Sequence, residues 1–271
     1  MNRGVLLKAW RETWPTTVLF GVAMLVLQGI LAFALPTFQS QLSAQLAATP
    51  FLQNLIGAMI GADVSGGIGP EMFAAIPWVH PVVLALVWAH AIVLCTRVPA
   101  GEVDRGTIDV LLALPVSRWR VFITESVVWL GASLALVAVA LLGNAIGASI
   151  GGNVLGVTAD RFVPVAANLF VLGTSVGAFA WLASSLSDRR GRALAVALLA
   201  VLASFLLNYL AQFWEPARRA AWLSVLQYHQ PLRALQSGRW PFADLGVLLG
   251  ASALMWVVAG WVFARRDLAT T

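Results

Sequence analysis

The sequence predicts an all-α integral membrane protein with six transmembrane helices. Of its 271 residues, 60% are hydrophobic and 11% charged, against roughly 45–50% and about 25% in soluble domains. The apolar residues fall into six runs that carry almost no charge. At 1.5 Å rise per residue, each is long enough to cross a hydrocarbon core about 30 Å thick. The charged residues collect at the ends of these runs, where membrane anchors belong.

Taken in order, residues 1–16 mix Arg3, Lys8, Arg11 and Glu12 with Leu6, Leu7, Trp10 and Trp14. That pattern predicts an amphipathic helix lying in the interface, its indoles at headgroup depth. Residues 17–35 form the first span. Residues 36–77 hold no Lys or Arg and are broken by Pro36, Pro50, Pro70, Pro77 and the run SGGIG, which predicts short interfacial helices and turns. The further spans are expected at 78–96, 121–149, 162–187, 193–214 and 245–264. A charged loop, 99–120, separates the second span from the third, and a polar segment, 215–244, separates the fifth from the sixth. The whole chain, 1–271, then reads as a single transmembrane domain.

The net charge of +5 comes from sixteen Arg and the single Lys8 against twelve acids. A basic balance suits nucleic acid, but these charges form no single face and instead flank the apolar runs, so no nucleic-acid partner is expected. Six spans place both termini on one side. That side carries twelve Lys or Arg, while the other holds Arg161, Arg218, Arg219, Arg233 and Arg239. The positive-inside rule assigns the richer side, with both termini, to the cytoplasm. The four Arg of 215–244 run against that rule. Cys95, the only cysteine, excludes an intrachain disulfide. The first apolar run is too long, and lacks the small-residue pattern, for a cleavable leader.

The loop PAGEVDRGTIDVLLALPVSRWR at 99–120 is the chain's distinctive stretch. Thr107 can cap a short helix, and Asp109 would sit in its first turn, where the dipole favours a carboxylate. Ile108, Leu111 and Leu112 share a face by their spacing, Pro115 ends the helix, and Ser117 caps the next. So short a helix is marginal alone, so its apolar face calls for a docking partner. His80 and His90 are too far round one helix to share a metal, and packing roles suit them and His229 better. Glu125, inside the third span, either lines a cavity or meets a nearby Arg. Asn144, Asn168 and Asn208 could line a path or bond between helices.

In the order Glu102, Gly106, Thr107, Asp109, Leu111, Leu112, Pro115, Ser117 and Arg118, this loop resembles that of the type-2 ATP-binding-cassette exporter permeases. The ending Phe263, Arg266, Asp267 and Leu268 fits as well. Glu125 departs from the pattern, since many relatives carry Lys near that position. The resemblance implies that the short helix is a coupling helix, seated in a cleft of a separate ATPase subunit, with these nine residues serving the coupling. It further implies a pair of six-span subunits, homodimeric or heterodimeric, in a bacterial or archaeal cytoplasmic membrane. ATP and Mg would be bound by the ATPase partner and no cofactor by this chain, which has no phosphate-cradling Gly-x-x-x-x-Gly-Lys-Ser/Thr run. The chain is thus expected to be a transporter subunit and not an enzyme. The rival readings are a membrane enzyme acting on lipid or prenyl substrates, and a non-transporting scaffold. The substrate is not legible.

Overall fold

The computed structural model describes residues 3–39, 49, 69–113 and 115–266. Among these residues there is no strand. The helices, in order, are α1 (Arg3–Thr37), α2 (Pro70–Val79), α3 (Pro81–Cys95), α4 (Ala100–Asp104), α5 (Ile108–Leu112) and α6 (Arg118–Ile150), followed by α7 (Phe162–Ser185), α8 (Arg190–Leu210), α9 (Glu215–Ala220), α10 (Pro231–Ser237) and α11 (Phe242–Arg265). Six units are long and apolar enough to cross a membrane: α1, α2 with α3, α6, α7, α8 and α11.

Two boundaries differ from expectation. Residues 1–16 do not form a separate helix, because α1 runs unbroken from Arg3 through Pro15 to Thr37. Its buried stripe of Val5, Ala9, Thr13, Thr17, Gly21, Met24, Gln28 and Ala32 keeps one phase across the proline. A steady three-to-four spacing holds the helix to its neighbours on both sides of that point. The second span starts at Pro70 instead of Trp78, so part of 36–77 belongs to it. Residues 40–48 and 50–68, where interfacial helices and the SGGIG turn were expected, lie outside the described residues.

The α2–α3 unit breaks at His80, and the break leaves carbonyls to be satisfied. Pro81 has no N–H for the carbonyl of Pro77, and in lipid an unmet carbonyl is costly. Gln28 of α1 reaches it, its Nε2 3.4 Å away. The next carbonyl, that of Trp78, is met by Nε2 of His229 at 3.0 Å. The backbone N–H of Val82 finds Nδ1 of His80 at 3.3 Å. His229 also lies 2.6 Å from the Asn168 amide, whose Nδ2 donates to the Tyr228 carbonyl at 3.0 Å. His90 lies 3.2 Å from the Thr17 hydroxyl. The three histidines and Asn168 therefore tie backbone and helices together.

Close approach fixes the helix pairs. Helices α1 and α6 run parallel, and a Cβ at Gly143 would lie 2.5 Å from the Leu25 carbonyl oxygen, while one at Gly147 would strike the carbonyl of Gly29. Small residues four apart let two backbones meet, which is how helices associate where lipid removes the usual hydrophobic drive. Helix α7 lies at the centre, most of it buried. Gly173 faces Val87 of α3, and Gly177 takes the indole of Trp129 from α6. Phe122 packs against Trp181 and Trp256, with ring centroids 4.7 and 5.1 Å away. Gly260 opens a place for Trp119, since a Cβ there would lie 2.5 Å from its ring. Helix α8 buries only Ala193, Ala197 and Val201, one seam at four-residue spacing. Leu198, Leu199, Leu202 and Leu206 on its other faces are exposed, as suits side chains that meet hydrocarbon.

Three of the five arginines on the side poorer in positive charge have local partners. Arg218 and Arg219 lie 3.2 and 3.6 Å from Glu215, and Arg161 donates to the Leu235 carbonyl at 3.1 Å.

Gly147→Val is expected to lower stability in detergent by at least about 1–3 kcal/mol, the range for overpacking a filled interface. Gly131→Ala, where nothing lies within 4 Å of the added carbon, should be near neutral. Thermal unfolding of the two variants beside the wild type checks the close-packing account.

Candidate functional site

The loop at 99–120 sits at the end of the bundle where α1, α6 and α8 begin and α3, α7 and α11 finish. Two short helices build it. Helix α4 is anchored on α7 by the Ala100 N–H, which donates to the Ser184 hydroxyl at 3.1 Å. The chain then turns through Gly106 at φ +68°, a left-handed conformation that favours glycine. The Gly106 N–H closes the turn on the Val103 carbonyl at 3.0 Å. Helix α5 follows and stops at Leu112, ahead of Pro115.

Glu102 is the centre of this loop. It is 3% exposed and gathers three side chains. Lys8 Nζ lies 2.9 Å from its Oε1 and Arg105 Nη2 3.1 Å from the same oxygen. The Thr107 hydroxyl donates to Oε2, and the Thr107 N–H donates to the Glu102 carbonyl at 2.9 Å. Burial pushes the Glu102 carboxyl up, but the Thr107 and Lys8 bonds and the Lys8 and Arg105 charges outweigh it. It titrates below its ordinary value of 4.5.

A second knot lies one layer deeper. Arg97, at the end of α3, donates through Nη1 to Glu12 of α1 and through Nη2 to Glu125 of α6. Lys8 also reaches Glu12, at 3.1 Å. Glu102, Lys8, Glu12, Arg97 and Glu125 thus form one chain of ion pairs joining the loop to three spans. Glu125 finds its partner in Arg97. Beside the chain, Arg190 of α8 lays its stem over Gly101, where a Cβ would lie 3.2 Å from its Cδ. Its Nη2 donates to the Val93 carbonyl at 3.1 Å. A cavity of about 630 Å³ opens among Lys8, Arg97, Glu102, Arg105 and Arg190.

A third anchor holds the far end of the loop. The Ser117 hydroxyl caps α6 by accepting from the Arg120 N–H at 3.3 Å. Arg118 donates to the carbonyl of Phe263 in the last turn of α11, at 3.4 Å, and to that of Arg266 just after it, at 2.5 Å. Arg266 in turn donates to the Ser185 carbonyl at 3.0 Å and to Asp188 at 2.5 Å.

Of the nine residues singled out in the sequence, Glu102, Gly106 and Thr107 come together. Ser117 and Arg118 work at the α11 end. Asp109 stands in the first turn of α5 and Pro115 just after it. The side chains of Leu111 and Leu112 lie outside the described residues. One expectation is corrected: Thr107 does not cap α5 with its side chain. Its backbone, at φ −95° and ψ −3°, is already helical and not in the extended form a capping residue adopts. Its hydroxyl goes to the Glu102 carboxylate instead, a stronger charge-assisted bond. Lys8, Glu12, Arg97 and Arg190 had no place in the motif. Lys8 as the only lysine and Arg97 as the first charge after an apolar run were the available signals.

Comparison with known proteins decides the family. Residues 10–268 match the model of the ABC-2 family transporter proteins. The chain belongs to that family. It is also similar to the uncharacterized membrane protein YdbK of Bacillus subtilis (strain 168), with 28% identity over 194 residues. That match covers 68% of this chain and 78% of the relative. No solved structure matches. The family makes this ABC-2 protein a multi-pass membrane subunit of a transporter and not an enzyme, and implies an ATPase partner.

Two outcomes test the ion-pair chain. Because the folded carboxyl of Glu102 is depressed, its contribution to stability is full above the unfolded value near 4.5 and is lost as pH falls through the folded one. Glu102→Gln should therefore be less stable than wild type at neutral pH, with the gap closing under acid; a gap that persists in acid counts against the account. Arg97→Met leaves Glu125 buried without its cation and should destabilise by on the order of 3–5 kcal/mol. Adding Glu125→Gln should recover part of that loss in a double-mutant cycle by chemical unfolding.

Proposed function

We propose that this ABC-2 protein is the membrane-spanning half of an ATP-driven exporter, and that the loop at 99–120 couples it to a separate ATPase subunit. Two six-span chains would enclose the pathway about a two-fold axis. The membrane is the cytoplasmic membrane of a bacterium or archaeon, with both termini and the loop in the cytoplasm. ATP and Mg belong to the partner.

The observation that carries this reading is the chain of ion pairs from Glu102 through Lys8, Glu12 and Arg97 to Glu125. A push on α4 reaches α1 through the Glu102–Lys8 pair and α3 and α6 through Arg97, with Glu102, Arg97 and Glu125 buried and Lys8 and Glu12 partly exposed. Such contacts resist stretching because an unpaired buried charge is penalised. Val110, 72% exposed on α5, offers an apolar contact at a bundle end, outside the lipid-facing length of the spans. The family assignment favours a transport subunit over a lipid-modifying enzyme, and no specific observation favours a scaffold.

The experiment is reconstitution with the ATPase subunit that co-purifies with this chain. The chain alone should hydrolyse no ATP. Val110→Asp, which changes an exposed side chain and so spares the fold, should cut ATPase capture at least tenfold, about 1.4 kcal/mol. Leu111→Asp or Leu112→Asp should act the same way. Normal capture and normal export in all three variants would remove the loop from the coupling role. A cysteine at position 107, in a Cys95→Ala background, should resist an impermeant thiol reagent in intact cells. Labelling there without permeabilisation would reverse the topology.

A further inference from the structure

Four cations from four different elements line the 630 Å³ cavity: Lys8 of α1, Arg97 beyond α3, Arg105 beyond α4 and Arg190 of α8. Only two carboxylates line it with them, Glu12 and Glu102. Lys8 and Arg105 are answered by Glu102, and Arg97 by Glu12 and Glu125. Arg190 has no carboxylate within ion-pair distance among the described residues. Arg105 and Arg97 act on it as like charges, and only Asp104 opposes them. Arg97, 8% exposed, keeps its Nε without a hydrogen-bond partner, and so does Arg190. Of the three guanidinium groups held toward this space, Arg190 is the one that no carboxylate answers within ion-pair distance among the described residues, and the two beside it are like charges to it.

The start of α8 adds to this field. Its first turn holds no acidic residue and its N-cap, Arg189, makes no side-chain cap bond. Arg189, Arg190 and Arg192 occupy the place where the helix dipole favours negative charge. The local sequence is thus the reverse of what an isolated helix prefers, and a phosphate beside a helix N-terminus corrects it. Gly101 is the residue that lets Arg190 lie across α4 and enter the cavity. The volume falls within the range of small-molecule sites, and basic pockets between spans suit lipid head groups.

We propose that this cavity binds a phosphate group, held by Arg190 and Arg105 over the Glu102–Lys8 pair. The carrier of that group is the head group of an anionic phospholipid or a free phosphate. The site is separate from the direction of transport and from ATP hydrolysis, so its failure leaves the permease reading standing. The full-length protein in detergent is titrated with phosphatidylglycerol, phosphatidylcholine and inorganic phosphate. Bound ligand is counted by native mass spectrometry and by the rise in unfolding temperature. Phosphatidylglycerol should bind in preference to phosphatidylcholine, and Arg190→Gln should weaken it about fivefold or more. Arg105→Gln, at a half-exposed side chain, gives the same readout where Arg190→Gln does not fold. Arg219→Gln, at the opposite end of the bundle, should change nothing. Stabilisation by inorganic phosphate that is lost in the same variants identifies the free ion as ligand; stabilisation by the lipid alone identifies the head group. Equal retention of both lipids together with no response to phosphate overturns the proposal. So does binding that is unchanged by Arg190→Gln and Arg105→Gln.

Discussion

The burial of Arg97 between Glu12 and Glu125 sets the terms for one whole end of the bundle. A guanidinium is charged at every accessible pH, so taking it out of water demands fixed partners. Those partners come from α1 and α6, the parallel pair, while Arg97 itself ends α3. Three spans are thereby registered to one another at a single depth. The loop inherits that registration through Lys8, which spans from Glu12 to Glu102. Glu12 is the half-exposed member and adds little on its own; the buried Arg97–Glu125 contact carries the constraint.

The same logic of satisfaction governs the spans. Within lipid a carbonyl released by a proline has no water to turn to. Pro81 releases that of Pro77, and the break at His80 frees that of Trp78 by taking the Val82 N–H; Gln28 and His229 are buried polar residues placed against them. This explains why a polar side chain, Gln28, persists inside the first apolar run. Packing supplies the other half. Gly29, Gly143 and Gly147 bring α1 and α6 into backbone contact, and Gly177 and Gly260 admit the indoles of Trp129 and Trp119. Exposed leucines on α8 are then unremarkable, since lipid is their solvent.

The loop joins these two regimes. It is too short to be stable by its own helices, and it is held at three points. Ala100 binds Ser184 of α7, Glu102 binds Lys8 of α1, and Arg118 binds carbonyls at the end of α11. A loop tied to three spans moves with them. That attachment is what the proposed coupling role requires, and the charges beside it make the neighbouring cavity electrostatically uneven.

The six spans and the charged loop were legible in the sequence, because each follows from local rules. Apolar run length and charge at run ends act within a few residues, whereas the left-handed turn at Gly106 appeared only in the structure. The joining of residues 1–16 to the first span was not legible, since it follows from a buried stripe that only neighbouring helices define. Nor was the Thr107 hydroxyl's choice of Glu102 over the α5 backbone. The partners of Arg97 stand 85 and 28 residues away in the chain, and no spacing rule connects them. The sequence by itself determined a six-span membrane protein with a motif-bearing loop, because hydrophobic length and composition suffice for that. Only the tertiary structure decided which charges meet, because pairing depends on which helix ends share a depth, and that is set by glycine contacts between distant segments.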